Sequence, residues 1–312
     1  MGTGVAPVVR RVRAYFAPVD RGAVVPTVFD AAQMGGFALD SPPSRWVDLG
    51  WCKGFTRKSA TKVEALRVGA MAQGQVRTEV EATVSLEFES WGKLQLALAA
   101  GSQQMNLLRT ATGAALNGSG GVAASPVALE AGSTATSLHV DEAALTGFAV
   151  GDLVAVDVDY VGQVGFLGSG VSGAYVSSAA AIGGDTNYVR RVSLNVGRVA
   201  SLADGVLQLE GALLAGAPVA GMQVSRLVGF VDREGGGFFQ EWSGLFVMDG
   251  EQGDRVIYHY PRLQAMQGAA ETAETLAGSL EKVRLAGAFR ALPVKDANDG
   301  ETVLCFRSYL PA

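Results

Sequence analysis

Histidine and cysteine are nearly absent from this chain: His139, His259, Cys52 and Cys305 are all it has in 312 residues. The four lie in unrelated segments, and neither histidine has a metal-ligating neighbour at helix or hairpin spacing. A zinc site built from Cys and His is therefore excluded. Each histidine reads as a satisfied surface or interface side chain, and the two cysteines as free thiols of a cytosol-assembled protein. Charge is also scarce, at 18% of residues with a net charge of −5. That balance argues against general affinity for a nucleic-acid backbone, which wants a basic surface. No apolar run approaches the about 18 residues of a membrane span. The basic start MGTGVAPVVRRVRAYF has no apolar stretch behind it and does not read as a secretory signal.

The motifs of catalysis are missing as well. There is no G-x-S-x-G elbow, and the glycine-rich pieces Gly165–Gly168 and Gly235–Gly237 have neither a P-loop lysine nor a strand–helix context. Asp152, Asp157 and Asp159 sit in no glycine-turned calcium loop and read as a solvated strand face. No catalytic residue, cofactor or metal is expected, and the chain is not expected to be an enzyme.

Glycine is abundant, at 41 residues, beside 48% hydrophobic residues. This is the composition of a β-rich chain with enough apolar material for real cores. The central feature is VRTEVEATVSLEFE, Val76–Glu89. Its even positions are almost all apolar, and its odd positions are Arg77, Glu79, Glu81, Thr83, Ser85, Glu87 and Glu89. Successive strand side chains point to opposite faces, so this period of two predicts a strand with one greasy and one charged face. At about 3.3 Å per residue it is roughly 46 Å long. A barrel wall around a water-filled lumen needs such a strand, as does a large exposed sheet.

Around this strand the chain reads as follows. Residues 1–45 hold half of the prolines and predict an extended arm with short β pieces. WVDLGWCKGF predicts a short buried strand ending in a turn, and Arg57, Lys58 and Lys62 fall in a basic loop after it. Beyond Phe88 the period changes: Ser90 is placed to cap a helix whose Trp91, Leu94 and Leu98 pack on the even face of the long strand, with Gly101 ending it. Residues 113–125 read as a linker, and 126–230 as a small inserted β-barrel or sandwich with a turn at Val150–Asp152 between β segments and a hairpin turn at Asp204–Gly205. Within it, residues 162–185 read as a mobile loop. AMQGAAETAETLAGS is polar and small, a loop or a helical turn or two. LEKVRLAGAFRALPV and TVLCFRSYL predict a closing hairpin about Asn298–Gly300, with Val283, Leu285 and Phe289 on one face and Lys282, Arg284 and Arg290 on the other. The fold class is mainly β: a sandwich or barrel-like domain over 1–117 and 232–312 with a flanking short helix, interrupted by the β domain at 126–230.

In order and texture, PTVFDAA, WVDLGWCKGFTRKS, the long strand with its helix, and the later REGGGFFQEWSGLFVMDG, RVIYHYPRLQ and FRALPVKDANDGETVLCF resemble the major tail tube protein of long-tailed bacteriophages, over roughly 25–112 and 232–310. The resemblance implies a virion structural protein assembled in the host bacterial cytoplasm into stacked hexameric rings. Its partners would be itself, tail-end proteins and, transiently in the lumen, the tape-measure protein and DNA, with no membrane involved. Arg77, Glu79, Glu81, Thr83, Ser85, Glu87 and Glu89 would face the lumen. Four glutamates against one arginine leave about three negative charges per subunit there, a field that repels phosphate. Arg57, Lys58 and Lys62 would bridge rings, and 126–230 would lie outside the tube. Other ring-forming tail or head-decoration proteins are the alternative within the same class. A carbohydrate-binding β module is the alternative from another class, with Phe238, Phe239, Trp242 and Phe246 as its aromatic platform.

Overall fold

The period-two stretches of the sequence become strands longer than their patterns announce. In the computed structural model, which describes residues 11–19, 25–68, 71–101, 105–108, 126–157, 194–231, 241–266, 271–277 and 280–312, the chain begins with β1 (Val12–Pro18), α1 (Ala31–Met34), β2 (Val47–Val68), β3 (Met71–Phe88) and α2 (Lys93–Ala100). Short strands follow: β4 (Met105–Leu108), β5 (Val127–Ala128), β6 (Ser137–His139) and β7 (Leu153–Val156), with a 3-10 turn at Glu142–Gly147. Next come β8 (Val196–Ala203), β9 (Val206–Leu209), β10 (Gln223–Val231), β11 (Glu241–Asp249) and β12 (Arg255–Ala265). The chain closes with β13 (Glu271–Ala277), β14 (Leu280–Ala291), β15 (Val294–Lys295), β16 (Thr302–Val303) and β17 (Phe306–Leu310).

Two compact units result: Met1–Val19, Pro26–Gly101 and Phe239–Ala312 form the first, and Asp20–Val25 with Ser102–Phe238 the second. The expected boundary near 117 moves back, because β4 pairs with β10 of the second sheet.

The first unit is a sheet that closes on itself. Its order is β13-β14-β3-β2-β1-β11-β12-β17, and β14 also pairs with β12. The ring therefore runs β14-β3-β2-β1-β11-β12 and back to β14, all antiparallel. Alternation sends one face of each strand inward: Phe16, Val84, Leu86, Phe246, Tyr260 and Phe289 are buried there. Phe16 meets Phe246 and Phe289 at ring separations of 6.0 and 5.2 Å, edge to face. Gly287 is opposite Leu86, and a Cβ there would lie 3.0 Å from Phe88 and 2.9 Å from Phe289, so the crowded interior requires a glycine.

Several expectations are corrected by this arrangement. WVDLGWCKGF does not end in a turn; β2 continues to Val68, absorbing Gly54 (φ 58°) where the β2–β3 register shifts. Arg57, Lys58 and Lys62 are thus strand residues rather than loop residues. The segment 271–277 is a strand laid along β14 rather than a loop or helical turn. The closing hairpin shrinks to the two-residue pairs of β15 and β16, since β14 is taken by β3, β12 and β13, and β17 pairs with β12.

The helix starts later than expected. Gly92, not Ser90, is the N-cap, and Trp91 is exposed in the extended approach, whereas Leu94 and Leu98 are buried and Gly101 terminates the helix at φ 62°. The even face of β3 is already used by the barrel interior, so α2 packs chiefly on β14 and β12.

The second unit carries a sheet in the order β4-β10-β7-β8-β9-β6, with β5 on β10. Its core includes Leu138, Val154, Val156, Val199, Leu207 and Val224. The predicted turns are present: Asp204 and Gly205 both take positive φ between β8 and β9, and Gly151 does so before β7. Asp152 pairs with Arg226 at 2.8 Å instead of facing solvent. The expected linker at 113–125 and the loop at 162–185 lie outside the described residues.

Replacing Leu86 by Ala is expected to lower stability by roughly 2–5 kcal/mol in urea denaturation, whereas Glu81→Gln, on the opposite face, should change it by less than about 0.5 kcal/mol.

Candidate assembly edges

Strand pairing leaves two ribbons standing out of the barrel. β2 is held by β1 only from Val47 to Cys52, and β14 holds β3 only from Thr83 to Phe88. Beyond those points, Ser59–Val68 and Met71–Ala82 pair with one another alone among the described residues. At about 3.3 Å per residue this ribbon projects on the order of 40 Å. The second ribbon is β13 with the first half of β14, from the Glu271–Leu285 pair to the hairpin end. Phe88 lies opposite Leu285, and β14 runs antiparallel to β3, so the two ribbons leave the sheet at opposite ends.

Each ribbon continues the barrel's greasy inner face into the open. Val80, on the same strand face as the buried Ala82 and Val84, is 46% exposed; Val63 is 50% exposed, and Val283, on the face of Leu285, is 43% exposed. Among the described residues no strand pairs with the outer edge of β2 past Thr56 or with the outer edge of β13. A lone protein with such edges is an aggregation hazard.

The charged face departs from the expectation drawn from β3 alone. Glu81, Ser85, Thr83, Glu87 and Glu89 are exposed or half-exposed, as alternation predicts. Residues opposite one another across a ladder share a face, however, and the register places Lys53 opposite Glu87, Lys58 opposite Thr83, Lys62 opposite Glu79 and Arg290 opposite Thr83. Lys53 reaches Glu89 at 3.0 Å, and Arg284 reaches Glu87 at 3.4 Å. The face is of mixed charge, not acidic.

Arg77 leaves that face altogether. The register shifts by one residue of β3 between the Lys62–Glu79 and Val63–Arg77 pairs. Arg77 shares a face with Val63, Glu81 with Ala60; three positions apart on β2, Ala60 and Val63 point to opposite sides. Arg57 is likewise absent from the outer face: it is opposite Val84, half-buried, with its Nε buried and lacking a partner. Of the three ring-bridging candidates, Lys58 and Lys62 are exposed on the ribbon.

A second group of residues, missed in the sequence, surrounds the outer face of β1, β11 and β12. The segment Pro26–Trp46 crosses that face as a cover. Tyr15 donates to the Leu39 carbonyl at 2.7 Å, and the Thr27 N–H donates to Ser243 Oγ at 2.9 Å. Arg255 is the principal fastener. Its Nη1 donates to the carbonyls of Gly35 and Phe37, both at 2.8 Å, its Nε donates to Asp249 at 2.6 Å, and its guanidinium lies over the Phe37 ring. Asp30 caps α1 within the cover by accepting the Ala32 N–H at 2.8 Å. Beneath it, Phe29 and Trp46 enclose His259, which is buried and not the satisfied surface or interface histidine expected.

Among the described residues no three Cys, His, Asp or Glu side chains gather as a metal site. Cys52 and Cys305 are both free thiols, and burial pushes Cys52 up to about 12. Trp242 and Phe246 are fully buried barrel residues and offer no sugar platform; Phe238 and Phe239 lie outside the described residues.

Arg255→Ala leaves two carbonyls and a carboxylate without their donor and is expected to cost roughly 2–4 kcal/mol in urea denaturation, against less than about 0.5 kcal/mol for Lys58→Ala. No protein family is matched by the chain, and no curated protein compared with it proves similar.

Proposed function

We propose that this chain is a structural subunit that closes into rings and stacks into a tube, of the kind that forms the tail tube of long-tailed phages. One observation carries the reading: the strands β13-β14-β3-β2 form a continuous four-strand surface whose two outer edges are open and complementary. The β2 edge holds Lys58, Lys62 and Arg67 against Glu64, while β13 holds Glu271 and Glu274. An edge of one copy meeting the other edge of the next is a heterologous contact, which generates a ring when its rotation closes. The offset of the two ribbons along the strand direction suits a closed barrel, whose strands must be staggered.

In this reading the face of Glu81, Thr83, Ser85, Glu87 and Glu89 lines the lumen. Its paired Lys53–Glu89 and Arg284–Glu87 charges present no continuous basic track on which a passing phosphate backbone would lodge. The projecting ribbons, with bare valines, reach neighbouring rings. The tape-measure protein and DNA are transient occupants, tail-end proteins cap the stack, and the virion tail is the location. The second unit lies outside the tube and is not needed for closure. The chain catalyses no reaction.

Negative-stain microscopy with sedimentation at rising concentration is the test. Tubes are the expected product at physiological salt. Discrete rings that never stack would favour a terminator or decoration protein, and a monomer persisting to high concentration would overturn self-assembly. Val63→Lys with Val80→Lys should abolish tubes while leaving thermal unfolding of the subunit within a few degrees. Deleting 103–237 across a short glycine linker should preserve them.

A further inference from the structure

His259 occupies a position that only a neutral imidazole suits. It lies on β12 between Leu245 of β11 and Phe306 of β17, and is 3% exposed. Phe306 stacks on it with ring centres 5.7 Å apart, and Trp46 and Phe29 of the cover meet it edge to face at 5.9 and 6.1 Å. Neither ring nitrogen makes a hydrogen bond of ordinary geometry. Burial lowers its pKa from 6.5 to about 4, partly offset by the Thr27 backbone alongside.

The charged groups on every neighbouring element are committed elsewhere. In the cover, Asp30 caps α1; on the β11–β12 hairpin, Asp249 pairs with Arg255; on β1, Arg13 pairs with Asp48. On β17, Arg307 is opposite Tyr258, and so points away from the face of His259. Asp40 in the cover and the Cys305 thiol beside β17 make no ion pair or hydrogen bond with the ring among the described residues. An imidazolium here would have three aromatic faces and no carboxylate.

We propose that His259 is the trigger of an acid-released clasp, in which the cover Pro26–Trp46 and the edge strand β17 together come away from β12 when the imidazole is protonated. The release is local because the three aromatic rings around the imidazole, Phe29, Trp46 and Phe306, all belong to peripheral pieces. Among the described residues the cover has no ladder to the sheet, and β17 pairs with β12 alone. The aromatic interior of Phe16, Phe246 and Phe289 is on the other side of the strands and senses none of it. Release would bare the apolar face of Tyr15, Leu245, Val247 and Ile257 and open the edge of β12 from Arg255 to His259 to a new strand. This inference is independent of the tube reading.

The sign follows from the depressed pKa. The histidine's contribution to the closed clasp is complete above about 6.5, where both states hold it neutral. It is lost as pH falls from 6.5 towards 4, because only the open state accepts the proton readily. Between pH 6.5 and 4 the closed-to-open ratio should fall about 80-fold, approaching the full factor of about 300 that the shift implies only below pH 4.

The full chain contains two histidines, so selectively labelled imidazole NMR reads His259 directly. Hydrogen exchange, corrected for the intrinsic pH dependence of the rate, reads the clasp. The expected result is loss of protection in 26–46 and 306–310 between pH 6.5 and 4, in step with His259 titration, while β3 and β14 keep theirs. In His259→Phe the clasp should stay protected to pH 4; should that variant fold poorly, His259→Leu serves with the same readout. The proposal is overturned if wild-type His259 becomes charged while 26–46 remains protected, or if a folded His259 variant loses protection over the same pH range.

Discussion

The short ladder between β12 and β14, from Leu263–Ala291 to Ala265–Phe289, closes the sheet on itself, and the rest of the first unit depends on it. With that contact the sheet acquires an inside, and alternation sorts every strand into buried and solvated positions. It also decides how much of each long strand the barrel employs. Of these strands, the stretches near Cys52, Phe88, Leu285 and Phe289 have neighbours on both edges; the far lengths of β2, β3, β13 and β14 have nowhere to go but outward. The ribbons are the remainder after closure, and their bare edges and valines follow from the same arithmetic.

Much of this was legible in the sequence, and the failures are informative. The alternation of Ala82 to Phe88, the αL stop at Gly101 and the turn at Asp204–Gly205 are local signals, and each appears where the residues put it. The mainly β class followed from them. β2 was cut short because Gly50 and Gly54, both at positive φ, look like terminators when they are bulge residues inside a strand. β13 was passed over because ETAETLA has too little apolar contrast to declare a face. The closing hairpin was misassigned because period and turn residues report that a strand exists, not which strand it pairs with.

The candidate site was legible only by halves, for a related reason. A stripe of glutamates on one strand says nothing about the lysines and arginines that the next strands set opposite it, so the acidic face became a mixed one once register was known. His259 and Arg255 carried no sequence signal at all. Their environment is assembled from Phe29, Gly35, Phe37 and Trp46, more than 200 residues away, by a cover whose composition resembles any loop. Helix 93–100 was found, but its partner was not, because the face assigned to it was already committed to the interior.

The one-residue register shift in β3 next to Arg77, followed by a second between the Leu66–Gly74 and Arg67–Ala72 pairs, separates the barrel length of the strand from a ribbon length that answers to different surroundings. On the barrel side, a change of side chain is judged by the packed interior and by the neighbours β2 and β14. Between the two shifts the parity is inverted, so positions that look equivalent by counting along the sequence face opposite sides. A substitution pattern shared by both lengths would therefore mix two unrelated selections. Deleting the extra residue at the shift would regularise the ladder with Arg77 still opposite Val63, because facing in the outer ribbon is set by its pairing with β2. The ribbon's surface can thus be rewritten without renegotiating the fold that carries it.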